Sequence, residues 1–145
     1  MPPSLTRLTD ADIARIARGV IDRTLPKPEW THAAHFAAAL WMLSRPDRDA
    51  FREMPGLIRA YNEATGVANT DTEGYHETIT QASLRAARAH LAASPDAPLS
   101  ERLATLLAGP CGRSDWLLAH WTKPVLFSAE ARRAWVAPDV QPLPF

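Results

Sequence analysis

Cysteine is nearly absent from this sequence: of its 145 residues, only Cys111 carries a thiol. One thiol cannot close an internal disulfide, so stability must come from a packed core, and the expected setting is reducing and cytoplasmic. An excess of either charge is also missing, with Lys+Arg and Asp+Glu at 16 each. A nucleic-acid binder carries a basic excess or stripe, so no nucleic-acid partner is expected. Neutrality removes long-range repulsion between copies and leaves a homodimer open. Long hydrophobic runs are lacking too. The longest, residues 33–43, is interrupted by His35 and falls well short of the ~20 residues of a spanning helix. Residues 1–16 contain no apolar stretch of signal-peptide length, so no membrane partner is expected. There is no sustained apolar–polar alternation of the kind strands require. Nor is there a phosphate loop, dinucleotide fingerprint or nucleophile elbow, so no nucleotide cofactor is expected and no substrate class is marked.

What the sequence does have is proline as punctuation, 13 in all, between stretches of helical periodicity. Apolar residues at 46% and charged residues at 22% give the balance of a soluble globular chain rather than a disordered one. Thr9 is placed to cap a helix from Asp10, with Ile13, Ile16, Ala17, Val20 and Ile21 on one stripe. A second helix follows Thr31, apolar nearly all round and therefore central. Residues 47–65 read as a third, with Pro55 kinking or splitting it and Gly66 ending it. Residues 73–93 carry the longest pattern. Shorter helices are expected over 99–107, 115–121 (capped by Ser114) and 129–136 (capped by Ser128). The prediction is one all-α domain over 1–145, a bundle of six or seven helices, with an extended proline-rich tail from about 137.

The central helix raises the functional question, because WTHAAHFAAALWML places two histidines in the most apolar segment of the chain. Residues three apart on a helix hold their Cβ atoms about 5–6 Å from each other, so His32 and His35 can reach one ion. His76, on the apolar face expected for the longest helix, is the natural third ligand. Three imidazoles with an open position suit Zn, Fe, Ni or Mn, and such an ion would activate a bound water or polarise a substrate. Glu77, Glu73 and Tyr75 are then the candidate acid, base or outer-shell groups. Tyr61 and Asn62, in a polar cluster near a helix end, and Trp30, adjoining the histidines, are candidate ligand-binding residues. His90 lies 14 residues beyond His76, about 21 Å along a straight helix, too far to join. His120 precedes a proline at a helix end and reads as structural. Cys111 reads as an ordinary loop thiol.

The histidine pair in Trp30-Thr31-His32-Ala33-Ala34-His35, followed by Tyr75-His76-Glu77-Thr78-Ile79-Thr80, resembles small uncharacterised bacterial helical proteins that carry both segments. That resemblance implies that the three histidines occur together and nothing about substrate. The arrangement is also similar, by distant analogy, to the three-histidine helical bundles of the DinB/YfiT class. The expected function is a metal-binding helical protein, in the enzyme case acting on a small molecule at a His32/His35/His76 site. Two alternatives stand beside it. One is a metal-free small-molecule binding module, and the other is a homo-oligomeric interaction protein whose histidines are structural.

Overall fold

The computed structural model describes residues 7–145, and among these it is all-α: seven helices and no strand. The leader reading of residues 1–16 falls partly on residues 1–6, which lie outside the described residues. The helices are α1 (Asp10–Ile21), α2 (His32–Ser44), α3 (Ala50–Ala64), α4 (Glu77–Ala93), α5 (Leu99–Ala108), α6 (Lys123–Leu126) and α7 (Ala129–Arg133). Among the described residues no helix is long and apolar enough to cross a membrane.

Side-chain caps set most of the starts. Thr9 and Asp12 form a reciprocal capping box on α1, Thr31 accepts from the Ala34 amide, and Ser128 accepts from the Ala131 amide. α2 is the central helix, packing against α1, α3, α4 and α5. Its small residues make that possible, since Ala37, Ala38 and Ala39 are all buried and let neighbouring backbones come close. Phe36, Leu40 and Met42 fill the space between them, also buried.

Two local expectations are corrected and a third, for Pro55, is narrowed. α3 starts at Ala50 rather than near 47, because Asp49 caps it and Glu53 bonds back to the Asp49 amide. Pro55 sits inside α3 without splitting it. Proline removes the amide that would bond the carbonyl four residues back. That carbonyl, on Phe51, instead takes the Gln81 side-chain amide of α4 at 3.4 Å. The segment after Ser114 is a short 3-10 turn, Trp116–Ala119, with no side-chain cap, and α6 follows it where no helix was expected.

Beyond Arg133 the chain is extended and clasped to the body. Fully buried Trp121 donates its indole N–H to the Val136 carbonyl at 2.9 Å, and Trp135 meets it edge-on. The Arg85 guanidinium lies 3.9 Å from the Trp135 ring centre. Asp139 accepts from both the amide and the hydroxyl of Thr122.

Candidate functional site

The longest helical pattern begins four residues later than the expected 73, and this decides what His76 does. Gly74 has φ +81°, outside the helical region, and the Asn69 side-chain oxygen accepts the Tyr75 amide at 3.0 Å. His76 is therefore in extended backbone, the cap of α4 rather than a member of its apolar face. Its Nδ1 accepts from the Ile79 amide at 3.1 Å, and its Nε2–H donates to the Leu126 carbonyl at 2.7 Å. Both ring nitrogens are thus engaged and the tautomer is set by its partners. Burial, with Arg132 nearby, lowers its pKa.

His32 is tied through one nitrogen only, donating Nε2–H to the Cys111 carbonyl at 2.7 Å while its Nδ1 has no partner among the described residues. Among the described residues no group of three or more His, Cys, Asp or Glu side chains is placed to hold a metal ion. The shared His32/His35/His76 centre expected from the spacing is not assembled in this arrangement: each imidazole bonds a different main-chain carbonyl, that of Cys111 for His32, Thr31 for His35 and Leu126 for His76.

His35 differs in standing at a recess between three helices. Its Nδ1–H donates to Thr31 O at 2.7 Å, one turn back on its own helix, which leaves Nε2 as a bare lone pair with no partner among the described residues. Trp30 stacks on one face of the ring at 3.8 Å between centroids. The ring is open to solvent yet ringed by protein, as in the wall of a recess, and desolvation pulls its pKa down to about 4. His35 is therefore a neutral acceptor of fixed tautomer at pH 7.

The recess is a slot of about 50 Å³ between three helices. α2 contributes His35 and Ala39, α3 contributes Met54 and Ile58, and α4 contributes Ile79, Thr80, Ser83 and Leu84. Residues four apart stand one above the other on a helix, which is why each helix supplies such a pair. The walls are apolar apart from His35 and the hydroxyl residues Thr80 and Ser83. The volume admits a methyl-sized or small polar group, not a whole drug-sized ligand.

Beside the slot, buried Tyr75 donates its hydroxyl to Glu77 Oε1 at 2.5 Å, and Gln81 donates to Glu77 Oε2. Burial, then the Glu77 bond, pushes the Tyr75 phenol far up, so it remains a proton donor. Glu73 lies apart on the exposed loop, where it is engaged through its backbone with Thr70. Buried Tyr61 ties α3 to the end of the α1 turn by donating to the Leu25 carbonyl at 2.8 Å, and burial raises its pKa. Asn62 donates to the Asn69 side chain at 3.0 Å, holding the loop that presents Tyr75. Trp30 covers His35 rather than walling the slot. His90 bonds one turn back to the Ala86 carbonyl, and His120 bonds the carbonyls of the tail. The Cys111 thiol is buried and pushed up, so it stays protonated.

Two outcomes follow. His76→Ala is expected to cost about 2 kcal/mol, one part from the lost cap and the rest from the orphaned Leu126 carbonyl, read as a lower urea midpoint. Second, a histidine whose pKa is depressed in the fold stabilises it above the unfolded value near 6.5. That contribution is lost as pH falls from about 6.5 towards the folded value of about 4. The depressed carboxylates Asp12, Asp71, Asp115 and Asp139 weaken the fold only at lower pH. Urea midpoints should therefore fall between pH 7 and 4.5. His35→Phe, which keeps the stack on Trp30, should reduce that dependence and leave the part due to His76, whose pKa burial also lowers. An unchanged slope would mean that His35 does not carry it.

Compared with family models, curated proteins and solved structures, the chain matches none of them.

Proposed function

We propose that the chain is a small-molecule binding protein whose site is the slot between α2, α3 and α4, with His35 Nε2 as its directing acceptor. The observation that carries this reading is the His35 lone pair, held in one tautomer and given no protein partner at the edge of an apolar recess. The ring is exposed, so water occupies this lone pair when the slot is empty, and a ligand N–H or O–H would replace that water at an acceptor whose direction is already fixed. The slot fits a short aliphatic group carrying such a donor. Met54, Ile58, Ile79 and Leu84 would hold the aliphatic part, and the Thr80 and Ser83 hydroxyls would complete the polar contacts. The Tyr75–Glu77 pair stands next to Thr80 as a hydrogen-bonded proton donor and carboxylate, an arrangement able to polarise a bound polar group.

The metal reading has less support, since no group of three such side chains is placed around a common point among the described residues and the His76 Nδ1 lone pair is already taken by the Ile79 amide. The test is a titration of histidine-labelled protein with acetamide, propionamide and isobutyramide, reading the His35 ring nitrogens by NMR. A shift confined to His35 and the Ile79 and Leu84 methyls, lost in His35→Phe, is the expected result. No shift with any of the amides would remove this reading. A stoichiometric zinc-induced shift of His32, His35 and His76 together would replace it with the metal centre.

A further inference from the structure

A second, polar recess of about 120 Å³ is bounded by Arg59, Asn69, Asp71, Tyr75, Arg132 and Arg133. Three guanidinium groups line it against one carboxylate. Arg133 is committed to Asp71 through Nε and Nη2. The other two have no carboxylate within ion-pair distance among the described residues: Arg59 lies over the Tyr75 ring at 4.4 Å, and Arg132 donates Nη1 to the Gly74 and Tyr75 carbonyls. Arg132 Nε is shut off from solvent with no hydrogen-bond partner. An unpaired donor on a buried cation is costly and is normally satisfied by protein, water or ligand.

We propose that this recess binds a phosphate-sized oxyanion, free or as the phosphate end of a larger molecule. Guanidinium groups match tetrahedral oxyanions through parallel N–H donors, and here Arg59 is free of acidic partners, Arg132 keeps Nη2 beyond its main-chain bonds, and Arg133 is neutralised by Asp71. The volume equals that of about four liquid waters, enough for one such group with its remaining oxygen turned outward. Asp71 is the built-in competitor. It stands at the same recess, its carboxyl held below the usual range by Arg133, and it repels an incoming anion. Arg132 is anchored to the Gly74 turn, so its positive charge is already positioned before binding. The site is independent of the slot, although Tyr75 forms a wall of this recess and hydrogen-bonds beside the other.

The test uses the full chain, labelled with nitrogen-15, titrated with inorganic phosphate at low ionic strength, with sodium chloride at matched ionic strength as control. The Arg132 and Arg59 Nε–H signals are expected to shift at millimolar phosphate and to stay in place with chloride. Arg59→Gln should weaken phosphate binding about tenfold, because a charge-assisted fork is lost. Asp71→Asn should tighten it several-fold, and circular dichroism would confirm that both variants remain folded. Glycerol phosphate binding as well as phosphate supports a site for phosphate esters. Acetate binding as tightly as phosphate would overturn the assignment. So would Arg signals that do not move in the wild type and in Asp71→Asn, or an Arg59→Gln affinity equal to wild type.

Discussion

Gly74→Ala is expected to destabilise the protein by about 4 kcal/mol, a large share of the 5–15 kcal/mol that holds a typical domain. Two separate costs add at this position. With φ at +81°, any side chain is in the left-handed region, worth about 1–2 kcal/mol for a residue with a Cβ. The new Cβ would also stand 2.3 Å from the Ala68 carbonyl oxygen and 2.9 Å from Asn69 Cα, both backbone atoms that cannot swing aside. Displacing Asn69 breaks its bonds to the Tyr75 amide, the Asn62 side chain and the Arg59 carbonyl, so the strain spreads to the start of α4 and the end of α3. At about 3–4 °C per kcal/mol for a chain of this size, the melting temperature should fall by roughly 12–16 °C. Gly66 supplies the internal control. It has φ +85° but open space where a Cβ would go, so Gly66→Ala should cost only about 1 kcal/mol. Equal losses in the two variants would show that crowding at Gly74 is not the cause.

Thr78→Val should cost about 3 kcal/mol with almost no change in shape. The Thr78 side chain is wholly buried, and its hydroxyl faces the Ala131 and Ala134 carbonyls at 2.7 and 2.9 Å while accepting the Val136 amide at 3.1 Å. One oxygen thus serves three main-chain groups at the junction of α4, α7 and the tail. Valine fills the same volume but takes the partner from all three groups, of which the one at buried Ala131 is the least able to turn to water instead. Thr78→Ser keeps the hydroxyl and loses one methyl, and should cost about 1 kcal/mol. Paired urea titrations check both values. A valine variant as stable as the serine variant would mean that the three groups find other partners.

The helical architecture was legible because its signals are local. Thr9, Thr31 and Ser128 each precede an apolar stripe and each caps the helix expected of it. The histidine site was less legible. A 3.6-residue period places His76 in line with Ile79, Thr80 and Ser83, and the period is right for the last three, all of which line the slot. What the period does not carry is where the helix begins. That depends on Asn69, six residues before Tyr75, and on a carbonyl fifty residues away at Leu126. Thr78 shows the same gap. A mid-helix threonine reads as bonding its own preceding turn, yet this one reaches residues more than fifty positions on. The arginine recess was hidden for a related reason, since Arg59 and Arg132 are 73 positions apart and meet only through the packed loop around Tyr75.

The bonds that begin α4 therefore close chain segments of 50 and 53 residues, from His76 to Leu126 and from Thr78 to Ala131. Closing such a segment costs entropy before any contact rewards it, whereas the contacts of α1 with α2 span only a short connection. The folding transition state is then expected to contain the α1–α2 pair while the first turn of α4 is still uncapped and its two distant partners are still mobile. A defect at Thr78 would leave the rate of folding nearly untouched and show almost entirely as faster unfolding. By the same logic, residues 76–78 act as the latch of the native state: last to engage, and the place from which it opens.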